Sequence, residues 1–239
     1  MKLNAVLFDL DGTLLPMDQD LFMKYYFGEL AKKLVPLGYS KDTLVADVWT
    51  GTKAMVMNDG SKTNEQAFWE LFESVYGKER LKDKELFDDF YVNEFNKVKV
   101  CCHENPYARE IVDFVKSKGL KLILATNPLF PYDGQVTRLS FIGLKEDDFD
   151  YITSYETSCY AKPNPLYYQE ILDKCGLNAN EVIFFGNSER DDVEGASKLG
   201  IDTTLVGDYL IKSENKINCT HIKLNEVIKT IEEKIEKHS

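Results

Sequence analysis

The chain has 239 residues, 44% hydrophobic and 29% charged, an ordinary globular composition that excludes a disordered, collagen-like or low-complexity polypeptide. Lys and Arg number 29 against 40 Asp and Glu, a net charge of −11; this argues against nucleic acid or anionic lipid as a partner, although a local site can still take a small anion. No apolar run approaches the ~20 residues needed to span a bilayer. Met1-Lys2-Leu3-Asn4 leads into a strand-like segment and not a secretory leader, and the five cysteines contain no CxxC pair. We therefore expect a cytoplasmic protein with reduced thiols.

Asn4 to Leu10 (NAVLFDL) reads as a short buried strand. From Met17 to about Val100 the spacing is helical. Leu21, Tyr25, Leu30 and Leu34 suggest one apolar face, Thr43–Met57 a second helix, Asn64–Tyr76 a third with Phe68, Leu71, Phe72 and Val75 on one side, and Leu86–Val98 a fourth. This aromatic-rich block suits a small helical lobe with its own core. Cys101-Cys102-His103-Glu104 lacks the second half of a zinc site and reads as a linker or core edge.

After Glu104 helix and strand alternate. The pattern predicts helices at Pro106–Ser117, Pro131–Phe141, Pro165–Cys175 (capped by Asn164), Arg190–Leu199 and Leu224–Lys237. Strands are expected at Leu120–Ala125, Tyr151–Ser154, Val182–Phe185 and Thr203–Val206. Such alternation implies an α/β fold, a Rossmann-like parallel sheet with helices on both faces. The expected organisation is a core of residues 1–15 and 101–239 with an all-helical cap inserted at 16–100, hinged near Leu15-Pro16 and Glu104-Asn105-Pro106.

Ligands of open parallel sheets bind at the carboxyl ends of the strands. Three apolar strands here end in polar clusters: Asp9-Leu10-Asp11-Gly12-Thr13, Thr126-Asn127, and Asn187-Ser188-Glu189-Arg190-Asp191-Asp192. A single lysine, Lys162, stands in the loop AKPNP before a helix. Two carboxylates about 4 Å apart repel by roughly 4 kcal/mol at an effective dielectric near 20. Asp9 and Asp11, joined by Asp191 or Asp192, need cations, which Lys162 and a hard, oxygen-seeking divalent ion such as Mg2+ would supply.

These four elements, in this order, resemble the haloacid dehalogenase-like superfamily: DLDGT at Asp9–Thr13, Thr126 after an apolar strand, Lys162 followed by Pro, and GNSERDD at Gly186–Asp192. The resemblance covers the whole core, and the helical insertion is similar to that of helical-cap members such as phosphoglycolate phosphatases, β-phosphoglucomutases and pyrimidine nucleotidases. It implies a Mg2+-dependent phosphatase of a small phosphorylated metabolite. Asp9 would be the nucleophile, forming an aspartyl-phosphate, and Asp11 the acid and then the base. Thr126, Asn127 and Lys162 would bind the phosphoryl oxygens. Asp9, the Asp11 backbone carbonyl, Asn187 and Asp191 would hold the metal, with Asp192 behind them.

The fourth motif departs from the family pattern. Asn187 stands where most relatives carry a metal-binding Asp, and Asp191 where GDSxxND relatives carry Asn, as though the pair were exchanged. Asp191 also completes an S-x-x-D capping box with Ser188, so metal ligand and helix cap both stay open. Lys53 and Asn58, in the polar break of the helical block, are candidates for substrate contact. A phosphomutase and a non-catalytic phosphate-ligand-binding protein on the same scaffold are the competing readings; monomer and weak dimer are equally compatible with the sequence.

Overall fold

The computed structural model of the protein describes residues 2–215 and 217–237. The first strand, β1 (Ala5–Phe8), is buried on both faces. The chain then leaves the sheet for a helical block: α1 (Gln19–Leu34), α2 (Leu44–Val56), α3 (Asn64–Tyr76) and α4 (Lys84–Val92), followed by a 3-10 stretch at Glu94–Cys101. It returns through α5 (Ala108–Ser117), β2 (Lys121–Leu124), α6 (Tyr132–Phe141), β3 (Tyr151–Ile152), α7 (Pro165–Cys175) and β4 (Val182–Gly186). A π-helical turn at Glu189–Glu194 leads into the short α8 (Gly195–Ser197). The chain ends with β5 (Asp202–Val206), β6 (Thr220–Ile222) and α9 (Val227–Lys237).

The six strands form one parallel sheet in the order β3-β2-β1-β4-β5-β6. Side chains alternate across it. Val6, Phe8, Leu122, Leu124, Ile183 and Phe185 face Ile111, Val115 and Ile231 of α5 and α9. Ala5, Leu7, Ile123 and Phe184 face Tyr167, Tyr168 and Ile171 of α7. The α/β class is thus as expected, and β6 is a strand that the sequence pattern did not reveal. It is short and exposed or half-buried at the sheet edge, so it lacks the apolar run that marks a central strand.

Two expected helix faces are rotated. Phe22, Tyr26, Leu30 and Leu34 are the buried apolar residues of α1, whereas Leu21 and Tyr25 are exposed. In α3 the buried rings are Phe68, Trp69 and Phe72, and Val75 is exposed. Aromatic packing decides both cases. Phe22, Tyr26, Tyr91 and Phe95 all contact the ring of Phe130, which follows β2. The block's apolar core therefore runs without a break into that of the sheet layer and is not a separate lobe core. The two chain crossings between block and sheet lie side by side: Met17 bridges Cys102, and the His103 N–H donates to the Pro16 carbonyl at 2.8 Å.

Candidate active site

Phe8, Leu124 and Phe185 stand in register on β1, β2 and β4, so the residues after them emerge together. β1 and β4 are adjacent although the chain between them built β2 and β3 on the other side; this reversal opens a crevice at their carboxyl ends. Asp9, Asp11, Thr126, Asn127, Lys162, Asn187, Asp191 and Asp192 all line the resulting cleft, together with Gln19, Leu129, Phe130 and Ile211.

Lys162 is the hub. Its Nζ lies 2.8 Å from Asp9 Oδ1 and 2.7 Å from Asp192 Oδ1, and all three side chains are buried. Burial alone would lower the lysine, but Asp192 and Asp9 outweigh it and hold the ammonium well above its ordinary range. The Lys162 backbone N–H donates to Asn127 Oδ1 at 3.2 Å, tying the lysine loop to the end of β2. Thr126 is fixed through its carbonyl, which accepts from the Thr153 and Tyr167 hydroxyls at 2.6 and 2.8 Å. Burial pushes the Asp9 carboxyl up to about 7 against the pull of Lys162, with Asp192 and Asp11 adding repulsion.

The fourth motif folds so that Asp191 and Asp192 do different work. Ser188 Oγ accepts from the Asp191 N–H at 3.1 Å, one half of the expected capping box. The other half is made by Asp192, whose Oδ2 accepts from the Asn187 and Ser188 N–H groups at 2.9 and 2.8 Å. The Asp191 carboxyl is left lining the cleft, raised by burial and by Asp192. The arrangement requires Gly186, because a Cβ there would overlap the Asp192 carboxylate. Asn187 Nδ2 donates to the Tyr209 carbonyl at 2.7 Å, so its amide oxygen is the donor atom that remains for a cation. Gly12, at φ +78°, brings the turn after Asp11 against this amide; any Cβ would collide with it.

Sequence reasoning missed Arg138. This α6 residue is fully buried, pairs through Nη1 with Asp11 Oδ2, and is held by Gln135 Oε1, the Gly134 carbonyl and the face of Phe130 at 4.4 Å. Its signal was available: Gln135 and Arg138 fall on the buried face of α6 beside Leu139, where apolar residues belong. Gln19 and the loop carrying Tyr209 and Ile211 also reach the site; their side chains carry no motif. Lys53 and Asn58, by contrast, are not brought to the cleft. Lys53 is exposed on α2. Asn58 is buried but spent on its own loop, bonding the Lys62 carbonyl, Asn64 Oδ1 and the Gly60 N–H. Cys101 is buried in the apolar core, and all five cysteines are free thiols.

The donor set fits a hard divalent cation. Four carboxyl groups line the cleft and two cations, Lys162 and Arg138, answer them, so the acids outnumber the bases by two. Asp11 Oδ1 is buried without a hydrogen-bond partner. All available donors are oxygens, the preference of Mg2+. Among the described residues no three His, Cys, Asp or Glu side chains converge on one point, and the set expected from the sequence, Asp9, the Asp11 carbonyl, Asn187 and Asp191, would not need them to. It uses two carboxylates, an amide oxygen and a backbone carbonyl.

Residues 3–200 match the family model of haloacid dehalogenase-like hydrolases. The chain is 26% identical over 218 residues to a phosphoglycolate phosphatase of Aquifex aeolicus, covering 90% of each protein. It is 28% identical over 201 residues to a phosphorylated carbohydrates phosphatase of Thermotoga maritima, covering 84% of this chain and 83% of the relative. A phosphatase structure from Thermococcus onnurineus superposes with a TM-score of 0.61 at 21% identity, over 96% of this chain and 98% of that one, and so shares the fold. Among the described residues no helix is long and apolar enough to cross a membrane. The chain belongs to the haloacid dehalogenase-like hydrolases.

Proposed function

We propose that the protein is a Mg2+-dependent phosphatase that hydrolyses a small phosphate monoester through an aspartyl-phosphate on Asp9. The observation that carries this reading is Asp9 itself: a buried carboxylate at the switch point of the sheet, 2.8 Å from a buried lysine, in a cleft that also holds Thr126 and Asn127. Ionised beside Lys162 and a bound cation, Asp9 would need no base to become a nucleophile. Relatives named as phosphatases of phosphoglycolate and phosphorylated carbohydrates support a small phosphorylated substrate.

An Asp9 carboxylate oxygen attacks phosphorus while Lys162, the Thr126 hydroxyl and the Asn127 N–H hold the phosphoryl oxygens. Asp11 enters this step as the carboxylic acid, gives its proton to the leaving oxygen, and the alcohol departs. Asp11 then takes a proton from water, which attacks the aspartyl-phosphate at phosphorus and restores Asp9. Arg138 orients the Asp11 carboxyl group in both steps. Asp192 positions the ammonium of Lys162 and the N–H groups of Asn187 and Ser188. A Mg2+ held by Asp9, the Asp11 backbone carbonyl, Asn187 and Asp191 would neutralise the approach of the anionic phosphoryl group to Asp9. Residues 16–100 act as the cap, joined to the core where Pro16 and His103 lie side by side, and shield the ester from bulk water while its bond to the alcohol is cleaved.

The test is a panel of phosphate monoesters with and without Mg2+, following inorganic phosphate. Phosphate release that matches substrate loss and needs the metal is expected. An isomerised phosphosugar without phosphate release would contradict a hydrolase acting on that ester.

A further inference from the structure

A second cavity, of about 130 Å³, adjoins the catalytic cleft. Gln19, Leu129 and Phe130 belong to the walls of both. Beyond them the lining turns apolar and aromatic, from Tyr26 and Phe27 of α1, Trp49 of α2 and Phe68 and Trp69 of α3. Trp49 is 48% exposed and Gln19 is exposed, so the cavity has a mouth; Trp69 is 8% exposed and lies deeper. The Trp69 indole N–H is buried and faces the Tyr155 hydroxyl on the same wall.

We propose that this cavity is the subsite for the alcohol part of the substrate, and that the alcohol carries one compact unsaturated ring. The proposal rests on the phosphatase reading, because the phosphoryl group sits at Asp9 and the ring lies past Phe130. The volume suits it: an apolar cavity of about 150 Å³ is enough to bind benzene. The chemistry suits it too. Ring faces offer stacking and edge contacts to a flat ligand, and no cationic side chain lines the cavity to favour a second phosphate or carboxylate. Substrates with several hydroxyls, such as open-chain sugar phosphates, would lose hydration there for few partners, since the Tyr26 and Tyr91 hydroxyls on the wall are bonded to each other at 2.8 Å. Thr52, half-buried on the same wall, has its hydroxyl bonded to the Val48 carbonyl at 2.9 Å, so it offers no free donor.

Both of the chain's tryptophans line this cavity, so intrinsic fluorescence reads its occupancy without any turnover. Benzyl phosphate and methyl phosphate carry leaving alcohols of similar acidity and differ in the ring. With the wild-type protein and Mg2+, kcat/KM for benzyl phosphate should exceed that for methyl phosphate at least about 10-fold, the range for apolar groups in a fitted pocket. Benzyl alcohol alone should shift the tryptophan emission. Thr52→Phe, which fills the cavity, should bring the benzyl-to-methyl ratio towards one and remove the benzyl alcohol response. A ratio near one in the wild type with intact turnover, or an emission unchanged by benzyl alcohol, overturns the subsite. If no ester is hydrolysed but benzyl alcohol still shifts the emission of the wild type and not of Thr52→Phe, the phosphatase reading fails and the subsite stands.

Discussion

Asp9 and Asp148 are both carboxylates held by a cation at hydrogen-bond distance, yet they sit at opposite ends of the carboxylate range. Burial pushes Asp9 up to about 7 in spite of Lys162. The Arg109 fork, two bonds of 2.7 Å, holds Asp148 down to about 2, against a smaller burial penalty and with help from the Lys145 N–H. Asp148 has one guanidinium largely to itself and Lys116 nearby. Asp9 must share one ammonium with Asp192 and face Asp11 and Asp191 across the cleft. A pair that locks α5 to the turn after α6 satisfies its charges; the cleft holds two more acids than cations. Folding tolerates such a deficit where a ligand is to supply the balance.

Removing the unanswered charge should have the largest effect. Asp9→Asn is nearly isosteric, and we expect kcat to fall at least about 10³-fold because the nucleophile is gone. The same change should raise the Tm of the metal-free protein, since it relieves repulsion in a buried cluster. Phosphate-release kinetics and thermal melts in chelator check the two halves.

Lys162→Met removes the shared cation and should cost about 10²–10³-fold in kcat/KM, evenly across esters, because its partner is the common phosphoryl group. Unlike Asp9→Asn it should lower Tm, leaving Asp9 and Asp192 buried with no counter-ion; breaking a buried pair costs about 3–5 kcal/mol. An effect that varied widely among esters would move Lys162 from the phosphoryl group to the alcohol.

Arg138 tests whether Asp11 needs orientation. Arg138→Lys should reduce kcat about 10-fold with KM little changed, and Arg138→Met somewhat more, since a lysine keeps the charge but loses the fork that also grips Gln135 and Gly134. Loss of stability with unchanged kcat would make Arg138 a packing residue alone.

The exchanged pair should matter less. Asn187→Asp should lower the Mg2+ concentration for half-maximal activity about 3–10-fold if the position ligates, and Asp191→Asn should raise it. With the double variant these form a mutant cycle; a double variant nearer wild type than either single change shows coupling. Strictly additive effects would return Asp191 to the helix start.

The smallest expected effect is on stability against pH in the metal-free protein. Asp9, raised in the folded state, binds its proton there at pH values where the unfolded chain has lost it, so its contribution declines as pH rises from about 4 to about 7. Asp148, lowered in the folded state, contributes above about pH 4 and is lost as pH falls towards 2, by about 1–2 kcal/mol once the partly exposed Arg109 is screened. Asp9→Asn should flatten the upper limb of a denaturation profile and Asp148→Asn the lower.

The cleft was legible in the sequence because parallel strands dictate where their ends point. Once Ala5–Phe8 and Val182–Phe185 are read as buried strands, Asp9 and Asn187 must meet. Arg138 was not, because it acts from within a helix whose periodicity marks it as core, and no spacing rule links it to Asp11 across 127 positions of chain. The helical block was the least legible part. Which stripe of α1 or α3 faces inward was settled by aromatic contacts with Phe130 and between rings of different helices. Helical spacing allows neighbouring stripes, and only packing chooses between them. That is also why Lys53 looked like a substrate contact while the adjacent Thr52 is the residue that lines a cavity.

The central claim is that Asp9 carries the phosphoryl group. Rapid acid quench of the wild-type protein during turnover of a 32P-labelled ester, followed by digestion, reads this directly. The account predicts an acid-stable, hydroxylamine-labile phosphate on the peptide containing Asp9, formed and lost at rates consistent with kcat and absent from Asp9→Asn. Undiminished phosphate release by Asp9→Asn, with no labelled peptide in either protein, would contradict it.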